Sequence, residues 1–293
     1  MRWPSKEPLG IRAGQRPVQN LGLFAPIVQR VARVHIVVSC VLGVACSSPD
    51  PQVPGHSAEQ QSVAEYDVAR DLWLQRGQPR AALAHVTTAL ELDEDNADAH
   101  HLASLIYLDF CRLDASSCRL NDAEAHVSKA LALRPDFREA RNTLGVVLIH
   151  LKRYRESIAA LEPLTRDMLY QTPENAWGNI GWAYLELGDA EHAVDALKRS
   201  TAAQPDFCVG HYRLGLAYEK LKQPELALGS FTRAIEAGGG RCRGLQAAYA
   251  GRARSLEQLS RTAEARDVLD TCVRLDKQTD AGRECLALRA RIP

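Results

Sequence analysis

The sequence predicts an all-α protein, a right-handed solenoid of about six helix pairs closed by a C-terminal capping helix. Three observations carry this. The 293 residues are 46% hydrophobic and 25% charged but only 6% aromatic, and no long alternating β pattern runs through them. The stretch 175–188 places Trp177, Ile180, Gly181 and Tyr184 at i, i+3, i+4 and i+7, one face of a helix. A second helix follows the break at Gly188-Asp189, with Ala193, Leu197 and Ser200 on one face and Pro205 ending it. Glycine inside a helix costs roughly 1 kcal/mol against alanine, so Gly181 implies that this second helix approaches closely. Finally, the same offsets return along the chain with a period of about 34 residues, the mark of stacked helix pairs.

Tryptophan, leucine-glycine, tyrosine, alanine, an apolar residue, a small residue and proline at these offsets resemble the tetratricopeptide repeat. Residues 174–207, taken as positions 1–34, supply the frame for the rest of the chain.

Ahead of the repeats, residues 1–33 carry Arg2, Arg12, Arg16, Arg30 and Arg33 without periodicity. The apolar run 34–45 is too short to span a bilayer and is flanked by arginine, the layout of a secretory signal. It ends in Gly43-Val44-Ala45-Cys46-Ser47-Ser48, which resembles a bacterial lipoprotein signal. Residues 1–45 are therefore expected to be a signal region, with Cys46 lipidated and 46–62 a flexible linker. Gly43 stands where that pattern prefers leucine, and Leu42 lies one place further back. Val38-Ser39-Cys40 competes but leaves a very short apolar core, and a cleaved soluble signal is the other reading. The lead is longer than a signal needs, which points to a translation start downstream, such as Val28. With Ser47 rather than aspartate after the cysteine, the resemblance implies an outer-membrane anchor facing the periplasm.

Six repeats are expected over 63–276. Repeat 1 (63–96) has Tyr66, Ala69 and Trp73, then Gly77, then Ala82, Val86 and Ala89, with Arg70 where glycine is favoured. Repeat 2 starts at Ala97 with His100, Ala103, Ser104 and Tyr107, and its second helix carries Ala123, Val127, Ala130 and Pro135. Seven surplus residues lie between the two. Repeat 3 starts at Arg138, carries Leu144-Gly145, Leu148, Ser157, Leu161 and Leu164, and runs two residues over length at 167–173. Repeat 5 (208–241) has Leu214-Gly215, Tyr218, Ala227, Phe231 and Ala234. Repeat 6 is degenerate, with Tyr249, Ala253, Leu256, Ala265, Leu269 and Cys272. Residues 277–293 then form the cap, with Cys285 and Leu286 expected inward and Arg283, Arg289 and Arg291 outward.

Without Cys40 and Cys46, six cysteines remain, and an even number in an exported chain favours disulfides over metal or redox chemistry. Cys111 and Cys118 bracket the surplus of repeat 2. Cys208 and Cys242 are one repeat apart, and Cys272 faces Cys285 across the last turn. Free buried cysteines are the alternative if the signal reading fails.

Equal numbers of acidic and basic residues, 36 each, argue against nucleic acid as a partner and against an electrostatic hold on anionic lipid, a local patch aside. His100-His101 are adjacent, so their rings point to different faces. No H-E-x-x-H, phosphate loop or G-x-S-x-G is present, and 238–240 reads as a turn. The expectation is a non-enzyme with no metal, cofactor or small-molecule substrate. The inner face of such a solenoid is lined chiefly by the first helix of each pair. Position 9 holds Asp71, Leu105, Val146, Trp182, Leu216 and Arg254; position 12 holds Leu74, Leu108, Ile149, Leu185, Glu219 and Glu257. Leu105, Leu108, Val146, Ile149, Trp182, Leu185 and Leu216 thus form a candidate apolar trough for an amphipathic helix or apolar peptide, with Trp182 at its centre. The competing reading is that the next repeat covers these side chains.

The signal, the repeats, and E-P-L at 162–164 followed by L-Y-Q-T-P-E and A-W-x-N-x-G-W-A resemble the pilotin lipoproteins of type IV pili, the Tgl/PilF/PilW group. That resemblance implies an outer-membrane lipoprotein that helps a PilQ-type secretin insert and multimerise. A periplasmic adaptor for peptidoglycan enzymes or proteases is the alternative on the same fold.

Overall fold

The computed structural model describes residues 57–113 and 115–292. The signal region, Cys46 and most of the linker lie outside them. The described residues form thirteen α-helices and no strand. They run α1 (Ala58–Leu74), α2 (Pro79–Leu92), α3 (Ala97–Leu113), α4 (Leu120–Leu133), α5 (Arg138–His150), α6 (Tyr154–Leu161), α7 (Pro173–Leu187), α8 (Ala190–Ala203), α9 (Cys208–Lys220), α10 (Pro224–Glu236), α11 (Gln246–Gln258), α12 (Thr262–Leu275) and α13 (Asp280–Arg289). Odd-numbered helices up to α11 are the first of each pair, here called A helices. Each packs on the B helix that follows it and on the next A helix.

Local chemistry sets the helix limits. α1 begins five residues ahead of the expected repeat because Ser57 and Gln60 form a reciprocal capping box, with bonds of 3.2 and 3.1 Å. Pro79, Pro173 and Pro224 open α2, α7 and α10, where a missing N–H costs nothing. The turn from A to B uses one left-handed residue in five repeats: Gly77, Lys152, Gly188, Lys222 and Ser260. At Gly181 a Cβ would collide with the Leu197 side chain, so the glycine is what lets α7 and α8 close.

Two expectations are corrected. In repeat 1 the fully buried small residue is Ala69, and Arg70 is exposed. α1 sits one residue out of frame, and the turn absorbs the extra residue: Gln78 N–H reaches Leu72 C=O, six back, where Arg153 N–H reaches Leu148 C=O, five back. In the cap, Cys285 and Leu288 face inward while Leu286 is 42% exposed, because residues three apart share a helix face and neighbours do not.

Arg254 closes the C-terminal end by forking onto Glu219 with two bonds of 2.9 Å and pairing with Glu284, so α9, α11 and α13 are tied together. In the structure Cys111–Cys118, Cys208–Cys242 and Cys272–Cys285 are bonded, with Cα separations of 4.0, 5.9 and 6.2 Å.

Along the edge where the A helices begin, Lys129–Asp95 (2.9 Å) and Arg241–Asp206 (3.2 Å) join successive repeats, while Arg134–Asp98 (2.7 Å) and Arg138–Asp167 (2.6 Å) tie the end of repeats 2 and 3 to their own start. The start of α1 belongs to this edge, since Asn96 donates to Ser62 Oγ (2.9 Å), which donates to Ala89 C=O (2.8 Å).

Candidate functional site

Successive A helices touch directly, so side chains at positions 9 and 12 fall into the seams between them. Leu105, Leu108, Val146, Ile149 and Leu185 are between 3% and 7% exposed. They fill the core and do not line an open trough, which corrects that part of the expectation. Trp182 and Leu216 stay half-buried, and the inner face is organised around the indole.

Four side chains from three repeats meet there. His150, at the end of α5, stands edge-on to Trp182 with ring centroids 5.1 Å apart. Arg213, on α9, lies over the indole face at 4.5 Å, a cation–π contact. Trp182 Nε1–H donates to Glu186 Oε1 one turn on, at 3.3 Å. Arg213 is held in place by donating to Gly178 C=O (3.1 Å) and to Asn179 Oδ1 (3.2 Å), and Asn179 Nδ2 donates in turn to Asn142 Oδ1 (3.1 Å). This Asn142–Asn179–Arg213 ladder crosses α5, α7 and α9. Burial, aided by the Arg213 charge, pushes His150 down to about 4, so the imidazole is neutral at ordinary pH and contributes an apolar edge.

Such a site offers a half-exposed indole and a fixed guanidinium, with half-buried Leu216 at the indole's position in the next repeat; it suits an amphipathic peptide better than bond-making chemistry. Arg213, His150, Asn142 and Asn179 were not among the sequence candidates. Laying positions 6 and 13 in register, as was done for 9 and 12, would have found the arginine and the histidine.

A second concavity of about 400 Å³ lies where α2 starts against the end of α3, lined by Pro79, Ala81, Phe110 and Leu113 among others. Among the described residues no cluster of three or more His, Cys, Asp or Glu could hold a metal, and no helix is long and apolar enough to cross a membrane.

Matches described as tetratricopeptide repeat cover residues 119–166, 174–207 and 212–278. The chain is a tetratricopeptide-repeat protein. Proteins built on this repeat are generally non-catalytic scaffolds. Among curated proteins it is similar to type IV pilus assembly protein PilF of Pseudomonas aeruginosa, 29% identical over 143 residues, which are 46% of this chain and 53% of PilF. The match thus spans about half the length of that relative. In fold it is similar to the crystal structure of PilW, a widely conserved type IV pilus biogenesis factor, at a TM-score of 0.66 and 24% identity, over 77% of this chain and 98% of PilW. It is similar too to a solved structure of Pseudomonas aeruginosa PilF, at 0.61 and 20% identity, over 79% of this chain and 99% of that one. At these identities the structural likeness speaks for the solenoid alone.

Proposed function

We propose that this tetratricopeptide-repeat protein is a non-catalytic scaffold of type IV pilus biogenesis, anchored through an acylated Cys46 to the outer membrane and facing the periplasm. It would bind a PilQ-type secretin and promote its insertion and multimerisation. The observation that carries the reading is the sequence similarity to PilF over 143 residues. The Trp182 face supplies a binding surface of fitting chemistry: the indole and Leu216 take the apolar side of a partner helix, while Glu186 and the Arg213 ladder face its polar side. Leu108, Val146 and Ile149 support that surface from beneath, and Leu105 and Leu185 are buried at the same repeat positions.

Co-purification from cells under mild crosslinking tests the partner. Secretin in the eluate is the expected result, and a peptidoglycan hydrolase or protease in its place would favour the adaptor reading. Acyl labelling tests the anchor, since Cys46→Ser should abolish it; label retained in that variant would place the acceptor elsewhere.

A further inference from the structure

We propose that the loop holding Met168 and Leu169 is a second, non-covalent foothold on the lipid bilayer, an inference that rests on the reading of Cys46 as an acylated anchor. Met168 is 96% exposed and Leu169 67%, more than any other large apolar side chain among the described residues. They are consecutive, and the loop that presents them is braced. Asp167 accepts from Leu169 N–H (2.8 Å) and from Arg138 Nε–H (2.6 Å), and its C=O accepts from Tyr170 N–H (3.1 Å). Gln171 Nε2 donates to Leu169 C=O (3.2 Å), and the Tyr170 ring below is only 5% exposed. In the corresponding loops of the neighbouring repeats, Phe137 and Phe207 are the half-buried rings that follow Pro-Asp. Here Tyr170 takes the inward place, and the additional length of repeat 3 carries Met168 and Leu169 outward.

The location points to lipid. The loop precedes α7, so it lies on the edge where the A helices begin, as does Ser57, from which the chain runs back to Cys46. Residues 47–56, fully extended, reach at most about 35 Å. From α1 to α7 there are three contacts between successive A helices, roughly 25–30 Å at ordinary helix spacing. A bilayer holding acylated Cys46 can therefore lie beneath this loop. Asp95, Asp98, Asp167 and Asp206 on that edge are each matched by a cation, and the exposed Arg166 stands next to the loop, within reach of lipid phosphate. Two side chains on a convex tip fall well short of the roughly 1,000 Å² that a stable protein interface buries. For a body already tethered, a small contact suffices, because the second binding step is intramolecular.

The test uses full-length acylated protein in phosphatidylethanolamine–phosphatidylglycerol vesicles, with bimane attached through Leu169→Cys or, on the opposite edge, through Glu191→Cys. Mass spectrometry first establishes acylation at Cys46. A nitroxide-bearing lipid should quench the label at 169 at least twofold and leave that at 191 unchanged, with equal melting temperatures for both proteins. Equal, weak quenching at the two positions on vesicles carrying acylated protein overturns the foothold and leaves the anchor intact. Shielding of 169 that arises only when secretin is added assigns the loop to a protein partner and also overturns it. A chain lacking acyl groups overturns the anchor and this inference together.

Discussion

Trp177 and Trp182 are five residues apart on α7 and do different work. Trp177 packs between the helices of its own pair, with the Arg199 guanidinium 4.9 Å from its ring, whereas Trp182 faces the inner surface between His150 and Arg213. Trp177→Ala should cost about 3 kcal/mol of stability through the cavity it leaves. Trp182→Ala should cost less in a denaturant melt but weaken partner binding by roughly 2 kcal/mol in titration calorimetry. Equal destabilisation by the two would make Trp182 a packing residue only. A quieter effect sits at the A-to-B turns. Lys222 adopts φ 55°, where Gly188 adopts 84° at the same repeat position. An L-residue in the left-handed region is strained by about 1–2 kcal/mol, part of which glycine returns as unfolded-chain entropy. Lys222→Gly should therefore raise stability by about 0.5–1 kcal/mol, and Gly188→Ala should lower it by more than that.

At the scale of elements, the helix seams hold imidazoles that are neutral because they are buried. His101 on α3 is pushed down to about 4 by burial. Its Nε2 lies 2.9 Å from Thr143 Oγ1 on α5, and because that hydroxyl already donates to Glu139 C=O, the imidazole is the donor. His150 is held at about 4 as well. Between α3 and α4, Nδ1 of His100 and Nδ1 of His126 are 2.9 Å apart, a hydrogen bond with room for one proton, and burial lowers both. Each of these groups takes up protons more readily unfolded than folded, so its stability contribution is complete above about pH 6.5 and declines below it; for His101 and His150 it is lost as the pH falls toward 4. For His101 and His150 the loss is on the order of 3 kcal/mol apiece. Urea melts between pH 7.5 and 4.5 should show the decline starting near 6.5, and His101→Gln should make it shallower. An unchanged midpoint across that range would mean that these imidazoles are solvated.

Across the whole molecule, the cysteine pairs act at three ranges. Cys208–Cys242 spans a full repeat, Cys272–Cys285 ties the cap, and Cys111–Cys118 closes only the insertion of repeat 2. Loop-closure entropy ranks their contributions in that order, at about 4, 3 and 2 kcal/mol. Non-reducing peptide mapping of exported protein should find these linkages, and single Cys→Ser variants at 208, 272 and 111 should lower the melting temperature in the same order. Free thiols at all six positions would remove both the pairing and the oxidising compartment. The repeat period, the A-to-B glycines and the cap were legible without coordinates because each is a local feature: offsets within one helix pair, a turn residue, a helix at the chain's end. Cys208 and Cys242 could be paired on paper for a similar reason, since one repeat of separation brings two residues side by side. What tertiary structure alone decided is which side chains of the inner face remain at the surface. In repeats 2 to 4 positions 9 and 12 are apolar alike, as is position 9 of repeat 5, but direct contact between A helices buries Leu105, Leu108, Val146, Ile149 and Leu185 and leaves Trp182 and Leu216 partly open. That outcome depends on how closely one repeat stacks on the next, and the Trp182 site draws His150, Glu186 and Arg213 from three different repeats, a meeting that no single repeat's sequence encodes.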